Sequence, residues 1–304
     1  MRFSLMTEPH LGGTYEQMLS AARLAEERGL VSFARCDHFL TERDPTPDAS
    51  DAFVTLAGLA RDTSTIRLCV LVTPITFRHP AVIAKSAASL DQMSGGRFDL
   101  GVGTGWMDFE HRSLGIDFPE WPERWERFEE ALGYLEAAFG PGRSTFGGKH
   151  YRLDADVLPK PTGLRIVIGG SGAKRTPALA GTRADEYNFF LCPPDEAAAR
   201  IATMWEAAGQ RNVEATVMGP VIVGRTDSDY RARLARFAAK FGNGRTPEEV
   251  ESRYRSLGMI LGTPEQAAET VAGLEAAGVE RVYLQWLDLA DIDGIGDMLD
   301  VVLE

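Results

Sequence analysis

The chain has 304 residues, 44% of them hydrophobic and 25% charged, an ordinary globular balance with room for one large α/β barrel or two average domains. Lys plus Arg number 32 against 44 Asp plus Glu, and the net charge of −12 argues against nucleic acid or an anionic membrane as partner. Cys36, Cys69 and Cys192 are widely spaced, and neither a leader-like N-terminus nor a run of membrane-spanning length is visible. The expectation is a cytoplasmic protein without disulfides or a metal site.

Arg2 to Glu8 reads as a buried strand. Gly12-Gly13 interrupts it, and Thr14-Tyr15-Glu16-Gln17 is a capping box that opens a helix with Met18, Ala22 and Ala25 on one face. A second strand is predicted over Ser32 to Phe39, with Asp37 and His38 at its C-terminal end. The polar stretch Thr41 to Asp51 is long enough to form part of a lid. Helix Ala52 to Arg61, strand Ile66 to Thr73, a helix entered through Pro80 and strand Phe98 to Val102 follow with short links. That alternation implies a parallel sheet at the pace of a (β/α)8 TIM barrel.

The rhythm breaks over residues 106–163, which read as an insertion after strand 4 containing the helix Trp121 to Phe139 and a hairpin-like segment, Arg143 to Tyr151. Strand Leu164 to Ile168 then runs into Gly169-Gly170-Ser171-Gly172. Helix Lys174 to Thr182, strand Tyr187 to Cys192, helix Pro194 to Gly209 and strand Glu214 to Val223 continue the order. Thr246-Pro247-Glu248-Glu249 and Thr263-Pro264-Glu265-Gln266 mark two further helix starts, before strand Glu280 to Leu287 and helix Ile292 to Leu303. One barrel domain accounts for residues 1–304.

The working face of such a barrel is its strand tips, so tip residues are the functional candidates. His38 can donate a hydrogen bond or shuttle a proton near neutral pH, whereas His10, His79, His111 and His150 show no metal-ligand spacing. Gly101-Val102-Gly103-Thr104-Gly105 lacks the full dinucleotide fingerprint. Its small residues suit close approach of backbone to a flat ring. Gly169 to Gly172, between a strand and a helix with Lys174-Arg175 behind it, has the makings of a phosphate cradle. Trp106, Phe109, Trp121, Trp125 and Phe128 fall near the expected mouth, where aromatics at helical spacing are more often core than site.

CDHF (Cys36 to Phe39), LVTPITFRHPAVIAK (Leu71 to Lys85), LDQMSGGRFDLGVGTGW (Leu90 to Trp106), IGGSGAKRT (Ile168 to Thr176) and GTPEQ (Gly262 to Gln266) together resemble the luciferase-like flavin and deazaflavin oxidoreductases. Within them, the chain is most similar to the branch that uses coenzyme F420. The resemblance implies a TIM barrel, a homodimer, a small-molecule substrate and F420, or alternatively FMN, as cofactor. It places Asp37 and His38 beside the ring, with His38 catalytic. It puts a non-prolyl cis peptide at Val70-Leu71 or a neighbour, and Thr73, Thr104 and Gly105 against the ring and ribityl chain. Gly169, Gly170, Ser171, Gly172 and Ala173 would hold the phosphate. The family's sugar-phosphate dehydrogenases carry an acid/base glutamate directly after the Thr-Gly tip, where this chain has Trp106. The departure points to a bulkier apolar or aromatic substrate, and leaves a cofactor-binding protein without turnover as a third reading.

Overall fold

The computed structural model describes residues 1–42 and 47–304; part of the lid expected over Thr41 to Asp51 lies outside the described residues. The chain begins with β1 (Arg2–Thr7) and α1 (Tyr15–Glu27), the latter opened by the Thr14–Gln17 capping box. β2 (Ser32–Arg35) is shorter than expected, so Asp37 and His38 sit in the loop beyond its tip. Next come α2 (Ala52–Asp62), β3 (Arg67–Pro74), α3 (Pro80–Ser94) and β4 (Phe98–Gly103). The insertion consists of α4 (Asp108–Leu114), α5 (Trp121–Phe139) and an antiparallel ribbon of β5 (Ser144–Gly147) and β6 (Arg152–Ala155).

The second half runs β7 (Arg165–Gly169), α6 (Arg175–Arg183), β8 (Glu186–Phe190), α7 (Pro194–Ala208) and β9 (Glu214–Val223). It ends with α8 (Asp227–Phe241), α9 (Pro247–Ser256), β10 (Ile260–Gly262), α10 (Pro264–Ala276), β11 (Arg281–Trp286) and α11 (Ile292–Leu303). Strands β1, β2, β3, β4, β7, β8, β9 and β11 pair in that order, all parallel, and β11 returns to β1. The expected (β/α)8 barrel is therefore closed. β10 is an addition that pairs with the far half of β9, and its three residues are too few to show a period in the sequence. No helix among the described residues is long and apolar enough to cross a membrane.

Strand parity separates two cores. Met6, Ala34, Cys36, Cys69, Leu71, Val167 and Tyr283 pack together inside the barrel, while Leu5, Phe33, Leu68, Val70 and Leu100 join the larger layer under the helices. The N-terminal ends of the strands enclose buried charge. Glu186 accepts from Arg281 and, at 2.9 Å, from the Tyr283 hydroxyl, and Arg165 reaches Glu214 at 2.7 Å. With that end occupied by paired charge, the open end lies at the strand tips.

One irregularity shapes those tips. The β3–β4 register shifts between Val70 and Thr73, and the cis bond there is Leu71-Val72, the neighbour of Val70-Leu71 that the expectation allowed. The shift turns Val72 inward over the neighbouring strands. A Cβ at Gly103 would lie 2.9 Å from Val72 Cγ2, and one at Gly169 2.6 Å from Val72 Cγ1. At Gly101 it would overlap the Val70 carbonyl oxygen as well. These glycines make room for protein first. Gly101→Ala is expected to cost about 1–3 kcal/mol, because backbone blocks the added methyl. Gly147→Ala, where nothing lies within 4 Å, should stay within about 0.5 kcal/mol. Urea unfolding of the two variants checks the contrast.

Candidate active site

The strand tips and the insertion enclose a cavity of about 820 Å³. That is ample for a tricyclic cofactor together with a substrate, given that small-molecule sites run to about 300–1,000 Å³. His38 lies on its wall with Glu8, His10, Leu71, Val72 and Gln285.

His38 is fixed by Glu110. Its Nδ1 lies 2.6 Å from Glu110 Oε2, and the other carboxylate oxygen accepts from the Phe39 and Leu40 amides at 2.5 and 2.9 Å. Glu110 is fully buried at the start of α4, and the next residue, His111, tethers the same helix through Thr76 (2.7 Å) and the Met107 carbonyl (2.8 Å). Burial alone would lower the His38 pKa, but the Glu110 hydrogen bond and the charges of Glu8, Glu110 and Asp37 hold it above its ordinary value. Burial would raise Glu110, yet His38 and the two amides hold it below the usual carboxylate range. Each group thus favours the charged form of the other. With Nδ1 engaged, Nε2 is the nitrogen left to give or take a proton.

A second pair lies beside it. His10 Nδ1 is 3.3 Å from Glu8 Oε2 and 3.2 Å from Cys36 Sγ, and the His10 and His38 rings are 4.7 Å apart. The donor atoms of Glu8, His10 and Cys36 lie within 4.8 Å of one another, and the hydrogen bonds among them account for that closeness. Burial works against ionisation of Glu8, but His10 and His38 outweigh it and hold its pKa low. Gln285 Nε2 donates to Glu8, while the buried Gln285 Oε1 has no partner.

Not every sequence candidate reaches the cavity. Asp37 lines the cavity, and its buried side chain is paired with Arg78, with Nη2 3.1 Å from Oδ1. Val70 faces the outer core by strand parity. Thr73 is turned away by the register shift and accepts from Arg78 at 3.2 Å; Val72 takes the place expected of these two. Leu71, Thr104, Gly105, Gly169, Gly170, Ser171 and Gly172 do line the cavity, whereas Ala173 is exposed outside it. Val72, Glu110 and Gln285 also line the cavity and were not among the candidates. The bond between Glu110 and His38 spans 72 positions in sequence.

A closed parallel barrel with a cofactor-sized cavity at its tips defines an enzyme architecture. A family model described as luciferase-like monooxygenase matches residues 1–281, and the chain belongs to that family of oxidoreductases and monooxygenases. It is 36% identical to an F420-dependent glucose-6-phosphate dehydrogenase of Kineococcus radiotolerans over 162 residues, covering 52% of this chain and 48% of the relative. It is 31% identical to the pyrimidine monooxygenase RutA of Klebsiella pneumoniae over 202 residues, covering 62% and 54%. The chain thus spans about half the length of these curated relatives. An F420-dependent secondary alcohol dehydrogenase in complex with an F420-acetone adduct superposes with a TM-score of 0.82 at 20% identity, covering 99% of this chain and 98% of that one.

The His38–Glu110 pair has a pH signature. Since the folded pKa of His38 lies above its ordinary 6.5, its stabilisation is complete below that value and is lost as pH rises through the folded pKa. Glu110, lowered, contributes above its ordinary 4.5 and loses that contribution as pH falls through its folded pKa. Glu110→Gln should therefore lower the His38 pKa, read from its ring proton resonances, and flatten both limbs of the stability profile. A His38 titration unchanged in the variant would dissolve the pair.

Proposed function

We propose that the protein is an F420-dependent oxidoreductase that moves a hydride between the deazaflavin and an organic small molecule. The observation that carries this is the single cavity in which the Gly169–Gly172 tip, the apolar Leu71–Val72 bulge and the His38–Glu110 pair face one another. The residues suit such a group. Leu71, Val72, Thr104 and Gly105 offer a flat wall for a ring, and the unpartnered Gln285 Oε1 can accept from a ring N–H. Gly169, Gly170, Ser171 and Gly172, ahead of the α6 N-terminus, would take the phosphate. Lys174 and Arg175, exposed and directly after the glycine tip in sequence, suit an anionic oligoglutamate tail, which supports F420 over FMN.

When bound, the deazaflavin supplies the hydride chemistry at its ring carbon. The chain supplies position and a proton. Nε2 of His38 is placed to protonate a substrate carbonyl oxygen, or to take the proton from a hydroxyl in the reverse direction. Glu110 fixes the ring orientation and favours the protonated form. The Leu71–Val72 wall excludes water from that side.

The likeness to a pyrimidine monooxygenase supports a second reading, an FMN-dependent monooxygenase on the same barrel. Fluorescence titration separates the two. F420 should bind at micromolar concentration and FMN far more weakly, and the reverse order would replace the proposal with the second reading. In His38→Ala, F420 affinity should change less than about threefold while turnover falls about 10²–10⁴-fold, the usual worth of a general acid. Unchanged turnover would remove His38 from the chemistry.

A further inference from the structure

The first turn of α5 holds two buried donors that the protein leaves without acceptors. Trp125 is 3% exposed and its Nε1 has no hydrogen-bond partner; the neighbouring Arg124 Nε is likewise buried and unpartnered. Both residues line the cavity. Buried donors are paired in the great majority of cases, and those that are not call for a ligand or an ordered water. Arg124 spends Nη1 on the Pro119 carbonyl at 3.1 Å and lays its guanidinium 3.8 Å from the Phe118 ring centroid. No carboxylate oxygen among the described residues forms a salt bridge with it; Glu120 and Asp108 act only from farther away.

The charge around this turn is mixed, with Glu120 at the N-cap and Glu123 in the first turn beside Arg124. The protein is acidic, at −12, yet Arg175 lies over the Trp125 ring at 4.6 Å. The N-cap residue of α5, Glu120, makes no side-chain capping bond, and the positive end of a 19-residue helix joins Arg124 and Arg175 against the nearby carboxylates of Glu120 and Glu123. The adjoining wall is aromatic, formed by Trp106, Trp121 and Phe128.

We infer that Arg124 and Trp125 form an oxyanion site for a carboxylate or phosphate carried on an apolar, planar body. A carboxylate offers both donors an acceptor and the guanidinium its counter-charge, while the aromatic wall takes the body. The inference names the substrate class of the site proposed above and rests on that reading for its location. The same chemistry could come from a substrate carboxylate or from an anionic group of the cofactor, and the test distinguishes them.

Trans-cinnamate and its uncharged relative cinnamyl alcohol serve as probes, with and without F420, and the tryptophans of the cavity report binding. Wild type should bind cinnamate at least about tenfold more tightly than the alcohol, the scale of a charged hydrogen bond. Arg124→Gln and Trp125→Phe, the latter removing only the donor, should each weaken cinnamate by about fivefold or more and leave the alcohol within twofold. Arg124→Lys, which keeps the charge without Nε, should fall between. That pattern assigns the site to the substrate. If F420 instead weakens about tenfold in both variants while the cinnamate preference stays, the oxyanion belongs to the cofactor. No cinnamate preference in wild type, with F420 affinity unchanged in both variants, overturns the inference. A wild type that never binds F420 fails the functional proposal alone, because the cinnamate arm runs without cofactor; circular dichroism checks that the variants are folded.

Discussion

The site depends on one buried carboxylate. Glu110 accepts from the His38 imidazole and from two successive backbone amides, Phe39 and Leu40. Those three residues belong to the loop beyond β2, whereas Glu110 belongs to α4 of the insertion. A seven-residue helix has too few internal bonds to persist alone. It stands here because Glu110 ties it to the β2 loop and His111 ties it to Thr76 after β3. The same bonds set the orientation of the His38 ring and close one side of the cavity. Removing the acid would leave a buried imidazole and two amides unsatisfied at once, a larger loss than an exposed ion pair would bring.

The barrel interior is graded along its axis. Charge fills the N-terminal end around Glu186 and Arg281, an apolar layer with Met6, Leu71 and Tyr283 lies above it, and polar groups such as Glu8, His38 and Gln285 line the open end. The grading follows from strand parity: on β11, Arg281, Tyr283 and Gln285 point inward at successive levels, from a charge held by Glu186 to an amide with an unpartnered oxygen at the open end. Unsatisfied atoms are tolerable where a ligand or water can reach them and costly where neither can.

Much of the fold was legible because it is local. Helix α5, strand β9 and helix α11 occupy the ranges that period and caps indicate, and the Thr14, Thr246 and Thr263 boxes form as their spacing requires. The site was less legible because its decisive contacts are not local. Asp37 finds Arg78 across 41 positions, a pairing that commits its carboxylate to an ion pair. The register shift at β3 exchanges the faces of Thr73 and Val72, and strict alternation cannot anticipate it. The glycines of the β4 tip invite a ligand in the sequence, yet Gly101 and Gly103 are needed to admit Val72.

Trp106 is where the chain departs from the sugar-phosphate dehydrogenases it resembles, and the structure gives that departure physical content. The indole is 71% exposed at the cavity mouth and meets the His38 ring edge-on at 5.5 Å. It cannot exchange a proton. Glu110, four residues on, is no substitute, because three donors and a lowered pKa keep it ionised and committed. On the proposed reading, proton transfer therefore falls to the imidazole that Glu110 holds, and the acid has become an orienting group. The surface freed by the missing carboxylate is aromatic and continues toward the Trp125 and Arg124 donors of α5. A site so built would recognise a flat apolar body by its wall and its oxygen by unpaired donors, without the hydroxyl contacts that a sugar demands.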